Sequence, residues 1–352
     1  MKKRIMVAAA LFCPALAWAQ SNASVYGLFD IYLAKTRGST NNVARGAATV
    51  VNSGGLNTSF WGVKGSEKIG GLTAEFALEG FFRGDTGEGG RSATDPLFGK
   101  NAFVALSGGF GRLSAGRQTS LFYISAGNLN PFGTSTPFSP AVLLVYRPLG
   151  TIYATAPLAG DTAWSNTLRY STVAWKGLQA NLMLQASEGA AGALDRNRNR
   201  GLSSTVTYKL GKFDTAVGYQ RLNLEANNDG HEQEAGYLGA AYDFGAVKLF
   251  AQLYRIEDSY RAAISDSQHD IAVAGLGVPV GPGKVLAGYG RTNTEYSRPG
   301  MVDAHRTTWT LGYDHPLSKR TDVYAIARRD RADRGALNAK DEVLALGIRH
   351  LF

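Results

Sequence analysis

From Leu72 to Asp85 the side chains change character at every step. Leu72, Ala74, Phe76 and Leu78 share one face of an extended chain, and Thr73, Glu75, Ala77 and Glu79 share the other. Successive residues of a strand point to opposite faces, so this is a strand with an apolar side and a carboxylate-bearing side. Carboxylates left without partners in a dry core are costly, so the second face needs water. A strand of an ordinary two-layer sandwich does not meet that condition. A strand with hydrocarbon outside and water inside does.

The punctuation along the chain gives the strands an architecture. Short turns fall at Gly70-Gly71, Gly108-Gly109-Phe110-Gly111, Lys176-Gly177, Leu210-Gly211-Lys212, Phe244-Gly245, Pro279 to Gly283, and Pro316-Leu317-Ser318-Lys319. Longer polar segments lie between them, near 36–56, 86–97, 118–163, 189–200, 226–232, 258–267, 297–303 and 333–340. Seven turns and eight loops connect sixteen strands. Among them are Ser24 to Lys35, Asn57 to Ile69, Leu72 to Asp85 and, last, Asp341 to Phe352. Short turns alternating with long loops are a mark of antiparallel barrels in outer membranes. Sixteen strands enclose an aqueous channel, whereas eight would be filled by side chains.

Composition agrees. The first nineteen residues read as a secretory signal: Lys2, Lys3 and Arg4, an apolar run from Ile5 to Leu16, and a small-x-small site at Ala17-Trp18-Ala19. The expected mature protein is 20–352, with formal charge reduced from +9 to +6 by loss of three cations. The single cysteine, Cys13, lies in the signal, so no disulfide or thiol chemistry is expected. No later run of eighteen apolar residues suggests a helical span. The spread of charge offers no basic stripe for nucleic acid. Tyr, Phe and Trp recur near strand ends, as rings at the headgroup level do, although aromatics also favour strands generally.

One stretch breaks the pattern. Between 118 and 163 lie Pro131, Pro137, Pro140, Pro148 and Pro157, five of the eleven prolines. No Asp or Glu precedes Asp161, and Arg147 is the one cation. A structureless loop of this length is uncommon in a compact fold unless it has a function. The run Ala141-Val142-Leu143-Leu144-Val145-Tyr146 is too apolar to sit in water. The reading preferred over a surface loop is that it folds into the lumen and narrows it.

The terminal strand makes the pattern specific. Gly347-Ile348-Arg349-His350-Leu351-Phe352 resembles the ending of general diffusion porins of β-proteobacteria. Ser24-Val25-Tyr26-Gly27-Leu28-Phe29-Asp30, Trp61-Gly62-Val63-Lys64-Gly65-Ser66-Glu67 and Gly111-Arg112-Leu113-Ser114-Ala115-Gly116-Arg117-Gln118 are similar to further motifs of that family. So are Leu168-Arg169-Tyr170-Ser171 and Leu317-Ser318-Lys319-Arg320-Thr321. The resemblance implies an all-β, sixteen-stranded transmembrane barrel in the bacterial outer membrane. It implies a homotrimer, with the third external loop forming a constriction and with no cofactor or metal. Asn130-Pro131-Phe132-Gly133 is similar to the family's loop-tip turn, and Phe352 to its terminal signal for the barrel assembly machinery.

Pore-lining residues follow from resemblance and alternation together. Lys64 lies opposite Trp61 and Val63, and Arg169 opposite Leu168 and Tyr170, so both point away from lipid. A Lys or Arg on the lipid face costs roughly 2–4 kcal/mol at the midplane. Glu75 and Glu79 share the watered face. Arg117 rests on resemblance alone, because alternation from Leu113 and Ala115 aims it outward unless Gly116 interrupts it. Phe60 stands where relatives commonly carry an arginine. The expected function is passive diffusion of ions and small hydrophilic solutes, with weak to moderate anion preference.

Two rival readings differ in class. A substrate-specific channel would use Phe122, Tyr123, Tyr146 and Tyr153 as an aromatic slide, although packing the loop to the wall is preferred. A barrel enzyme would need a base: four of the five histidines (His231, His269, His305, His315) fall in or beside loops and turns, and His350 lies in the terminal strand. They read as solvated, without a nucleophile or metal-ligand spacing. The basic runs Asp195 to Arg200 and Arg328 to Arg334 would reach lipopolysaccharide phosphates, but solvated strand-end charge is the preferred account.

Overall fold

The computed structural model describes residues 22–146, 162–187, 200–224, 230–260 and 265–352. Seventeen strand segments run antiparallel: β1 (Asn22–Thr40), β2 (Val43–Ser53), β3 (Phe60–Ile69), β4 (Leu72–Phe81), β5 (Asn101–Gly108) and β6 (Gly111–Thr119). Next come β7 (Ala163–Ser171), β8 (Leu178–Gln185), β9 (Gly201–Leu210), β10 (Phe213–Asn223), β11 (Glu232–Asp243) and β12 (Lys248–Ser259). The last are β13 (Ser267–Val280), β14 (Gly283–Tyr296), β15 (Ala304–Pro316), β16 (Thr321–Arg334) and β17 (Leu337–Leu351).

Each segment from β3 onward pairs with the next, and β17 returns to pair with β1 from Leu28↔Leu351 to Thr40↔Ala339. β2 and β3 take successive halves of the other edge of β1, so together they make one interrupted strand of a closed sixteen-strand barrel. Closure leaves no sheet edge to be satisfied within a bilayer. At the seam Gly27 and Phe352 exchange two backbone hydrogen bonds of 3.1 Å.

Alternation sorts the side chains as a barrel requires. Along β17, Leu344 and Leu346 are 60% and 61% exposed on the outside, while Ala345 between them is 1% exposed on the inside. All seven short turns fall where the sequence places them. Among the described residues no helix is long and apolar enough to cross a membrane.

Two segments expected to be long external loops are not. Residues 36–56 hold the end of β1, a two-residue turn and all of β2. Asn41 and Asn42 make that turn at φ 51° and 62°. Asn tolerates the left-handed conformation such hairpin turns need. Within 333–340, β16 and β17 likewise meet across a turn at Gly335 (φ 56°). The two tips then bond to each other, Asn41 N to Asn338 O at 2.8 Å and Asn338 N to Asn41 Oδ1 at 3.1 Å. Polar, glycine-containing composition suggested loops because hairpin tips that rise out of the membrane have water on both faces. Two strands are shorter than expected: β3 begins at Phe60 and β4 ends at Phe81. Arg83 N already bonds Glu88 O at 2.8 Å in the external turn beyond β4.

After β6 the chain enters the barrel. It forms α1 (Leu121–Asn128), a turn, and α2 (Pro140–Tyr146). Ser120 Oγ caps α1 by accepting from Tyr123 N at 3.2 Å. Pro140 opens α2, where its missing N–H costs nothing. α1 packs on β9, β10 and β11, and α2 on β13, β14 and β15. The apolar run Ala141 to Tyr146 is buried throughout. All of it but Leu143 joins Phe122, Ala126 and Leu129 in one cluster with the inward Tyr237, Tyr254, Ile256, Ile271 and Val273. The wall is hollowed to receive it. A Cβ at Gly275 would sit 2.6 Å from Pro131, and one at Gly290 would sit 2.6 Å from Leu144.

Candidate functional site

The inward segment carries no charge from Ser120 to Tyr146. Its polar side chains hold its own shape. Asn130 is 5% exposed; its Oδ1 accepts from Phe132 N (2.8 Å) and Ser139 Oγ (3.1 Å), and its Nδ2 donates to Gly133 O (2.8 Å). Pro131 and Phe132 project from this tip to the wall, and Gly133 turns the chain at φ 55°. Two wall arginines fasten the segment. Arg306 donates to Leu143 O at 3.1 Å and is itself paired with Asp330 at 2.7 Å, both nearly fully buried. Arg328 donates to Pro137 O at 2.8 Å.

The opposite wall holds the charges. Tyr26 OH donates to Glu79 Oε1 at 2.5 Å, and Lys100 Nζ lies 2.8 Å from Glu79 Oε2. Asn101 Nδ2 donates to the same carboxylate. Lys64 Nζ sits 4.3 Å from the Tyr26 ring centroid, and Lys100 Nζ 3.6 Å from that of Phe60. Lys100 thus brings a cation against the Phe60 face. Lower on the wall Arg112 pairs with Glu75 at 2.9 Å. Arg169 lies beyond it and donates to Asn181 Oδ1 at 3.3 Å, and its Nε is buried without a hydrogen-bond partner.

Lys64, Glu75, Glu79 and Arg169 thus lie on the inner face. Arg117 does not. The β6–β7 register shifts between Gly116 and Gln118, and Gly116 adopts φ 130°. Gln118 then returns to the inner face with Ser114, bonded at 2.6 Å, while Arg117 stays opposite Ala102, on the face away from Asn101 and Phe103. Its guanidinium donates to Gly99 O (2.7 Å) and Ser165 Oγ (2.8 Å). Arg147, Tyr153, the signal and Asp195 to Asn199 lie outside the described residues. Phe122, 1% exposed, packs against Tyr237 at 6.0 Å, so it fixes the segment rather than lining a slide. Tyr123 and Tyr146 stack edge to face at 5.6 Å.

Between segment and wall a cavity of about 870 Å³ opens on the external side, lined by Arg83, Arg91, Asp85, Asp95, Tyr146 and Arg328 among others. Arg83 is paired with Glu88 at 2.6 Å and Arg91 with Asp95 at 2.7 Å. Beneath α1 a second cavity of about 470 Å³ reaches Arg169, Lys209, Lys248 and Asp214.

The histidines are not all solvated as expected. His269 is 3% exposed and bonds Thr294 Oγ1 through Nδ1 at 2.8 Å. His231 Nε2 lies 2.6 Å from Asp258 Oδ1 and its ring stacks on Tyr260 at 4.2 Å. The burial arises because β11, β12 and β13 rise together around Asp258. Ser267 Oγ and Asp258 Oδ2 approach the same nitrogen of His269, Nε2, at 3.3 and 3.4 Å. With Thr294 Oγ1 on Nδ1 and Asp258 and Ser267 on Nε2, the buried ring is held from both sides between neighbouring strands. Among the described residues no three ligating side chains are grouped to hold a metal ion. In the run from Arg328 to Arg334, Arg328 turns inward, Arg329 pairs with Glu342 at 3.4 Å and Arg331 with Asp333 at 2.8 Å.

Residues 6–335 match the model of the Gram-negative porin family. The chain is 27% identical to an outer membrane porin protein of Bordetella pertussis and 27% identical to outer membrane porin protein 32 of Delftia acidovorans, each over all of both chains. The anion-selective porin from Comamonas acidovorans superimposes with a TM-score of 0.78 at 24% identity, over 95% of this chain and all of that one. A closed sixteen-strand barrel, an inward third loop and a family match over nearly the whole sequence lead to one conclusion: the chain belongs to the Gram-negative porin family of the outer membrane.

Proposed function

We propose that solutes pass between the inward segment and the wall built by β1 and β3 to β7, and that this passage prefers anions. The observation that carries the reading is the charge asymmetry across the opening. One side, Ser120 to Tyr146, has no charge. The other presents Lys64, Lys100, Arg112 and Arg169 against Glu75 and Glu79, with Arg83 and Arg91 above them against Asp85, Glu88 and Asp95. In a narrow wet path with low-dielectric walls such an excess sets ion preference. Many of these cations are paired, which supports a modest preference rather than a strong one. A reversal potential measured across a planar bilayer in a potassium chloride gradient tests it. Chloride preference that weakens as salt rises is the expected result; cation preference contradicts it.

Within this reading Lys64 and Arg169 are the pore-lining cations, Glu75 and Glu79 their counter-charges, and Asn130 to Gly133 the tip of a constriction. Family and fold are those of a channel rather than an enzyme. The resemblance to β-proteobacterial porins supports a signal at 1–19, a homotrimer, and Phe352 as the terminal signal for barrel assembly; an outer-membrane location would bring the chain into contact with lipid and lipopolysaccharide. Cross-linking in native outer membranes tests the trimer: a ladder ending at three copies is expected, and a monomer alone contradicts it.

A further inference from the structure

The interruption between β2 and β3 is tied at both ends, and the tie passes through a carboxylate. Asp30, on the inner face of β1, is fully buried. Its Oδ1 accepts from Gly55 N at 3.0 Å and from Tyr324 OH at 2.6 Å, and its Oδ2 accepts from Asn57 N at 2.8 Å. Its backbone carbonyl accepts from Gly54 N at 2.7 Å and from Ser59 Oγ at 3.0 Å. Residues 54–59 therefore hang on Asp30. The same six residues hold the inward segment. Ser135 Oγ donates to Gly55 O at 2.6 Å, and Asn57 Nδ2 donates to Thr134 Oγ1 at 3.1 Å. Arg349 Nη1 fixes the other end of the Asn57 amide by donating to its Oδ1.

We propose that Asp30 is the positioning residue of the pore: it sets how far the inward segment stands from the wall without touching solute. This rests on the channel reading given above. A carboxylate suits the position because both oxygens meet donors. An amide keeps only one acceptor and turns its own N–H groups toward a donor. The place is also closed sterically, since a Cβ at Gly55 would run into the Tyr324 hydroxyl. Asp30 reaches the inward segment, at Ser135 and Thr134, through one intervening residue, Gly55 or Asn57.

The test uses protein purified from outer membranes and read in planar bilayers. Asp30→Asn should keep the heat-dependent gel mobility of a folded barrel and yet show a noisier open channel. The undocked fraction should rise on the order of tenfold, as loss of one charge-assisted hydrogen bond implies. Joining Asn57→Cys to Thr134→Cys with a short bifunctional thiol reagent, in the same background, should restore the quiet channel. A folded Asp30→Asn protein as quiet as the wild type overturns the proposal. So does noise that the cross-link leaves unchanged. If Asp30→Asn does not fold, Ser135→Ala cuts the tie at the loop end with Asp30 intact: a noisy channel supports the proposal and a quiet one overturns it. Failure of the channel reading would show separately, as a wild-type protein that passes no current.

Discussion

Lys64, Lys100 and Arg169 are cations on which the proposed ion preference rests, and each is held differently. Lys100 is bound to Glu79, Lys64 leans on the Tyr26 ring, and Arg169 has one hydrogen bond and an unpartnered Nε. Arg169→Gln should therefore move the reversal potential toward cations, while Arg117→Gln leaves it where it is. An equal shift from both would mean that Arg117 faces the lumen after all. Arg306 is a different kind of residue, buried in the wall and paired with Asp330. Arg306→Met leaves Asp330 buried without its partner, which costs about 3–5 kcal/mol. Urea unfolding in detergent should show that loss, and an unchanged midpoint would put the pair in water. At this scale the sequence was partly legible. Alternation alone aims Lys64, Arg169 and Glu79 inward, because one face must meet hydrocarbon. The role of Lys100 is not legible because it precedes β5 in a polar turn, and those of Asp30 and Arg328 because their partners are far away in sequence.

The inward segment shows what pattern reading recovers about an element and what it misses. Its five prolines and missing carboxylates mark residues 118–163 as neither strand nor free loop. The burial of Ala141 to Tyr146 follows from composition. The two short helices do not, since one is eight residues and the other seven, too short for a period to register. The wall glycines that receive them read as ordinary strand glycines until the segment is set against them. Gly290→Leu should push Leu144 off the wall and change unitary conductance, with the barrel still folded. A conductance equal to that of the wild type would place the segment elsewhere. The external hairpins differ from the sequence expectation for a related reason: above the membrane a strand no longer needs an apolar face, so β2 and the start of β17 have the composition of loops.

For the molecule as a whole, closure governs everything else. Seven tight turns were legible because glycine and proline punctuate them, and with them the strand number. The joining of β17 to β1 is a contact between the two ends of the chain that no local pattern encodes, although a terminal phenylalanine points to it. Once the sheet closes, one set of alternate side chains meets lipid and the other meets water, and the inward segment has nowhere to lie except across the passage. The most direct measurement compares neighbours on opposite faces. Lys64→Cys and Val63→Cys, each in otherwise intact protein in a planar bilayer, are exposed to a charged, membrane-impermeant thiol reagent while current is recorded. The account predicts a stepwise change of current for Lys64→Cys and none for Val63→Cys; modification of Val63→Cys with equal effect, or silence at Lys64→Cys, would contradict it.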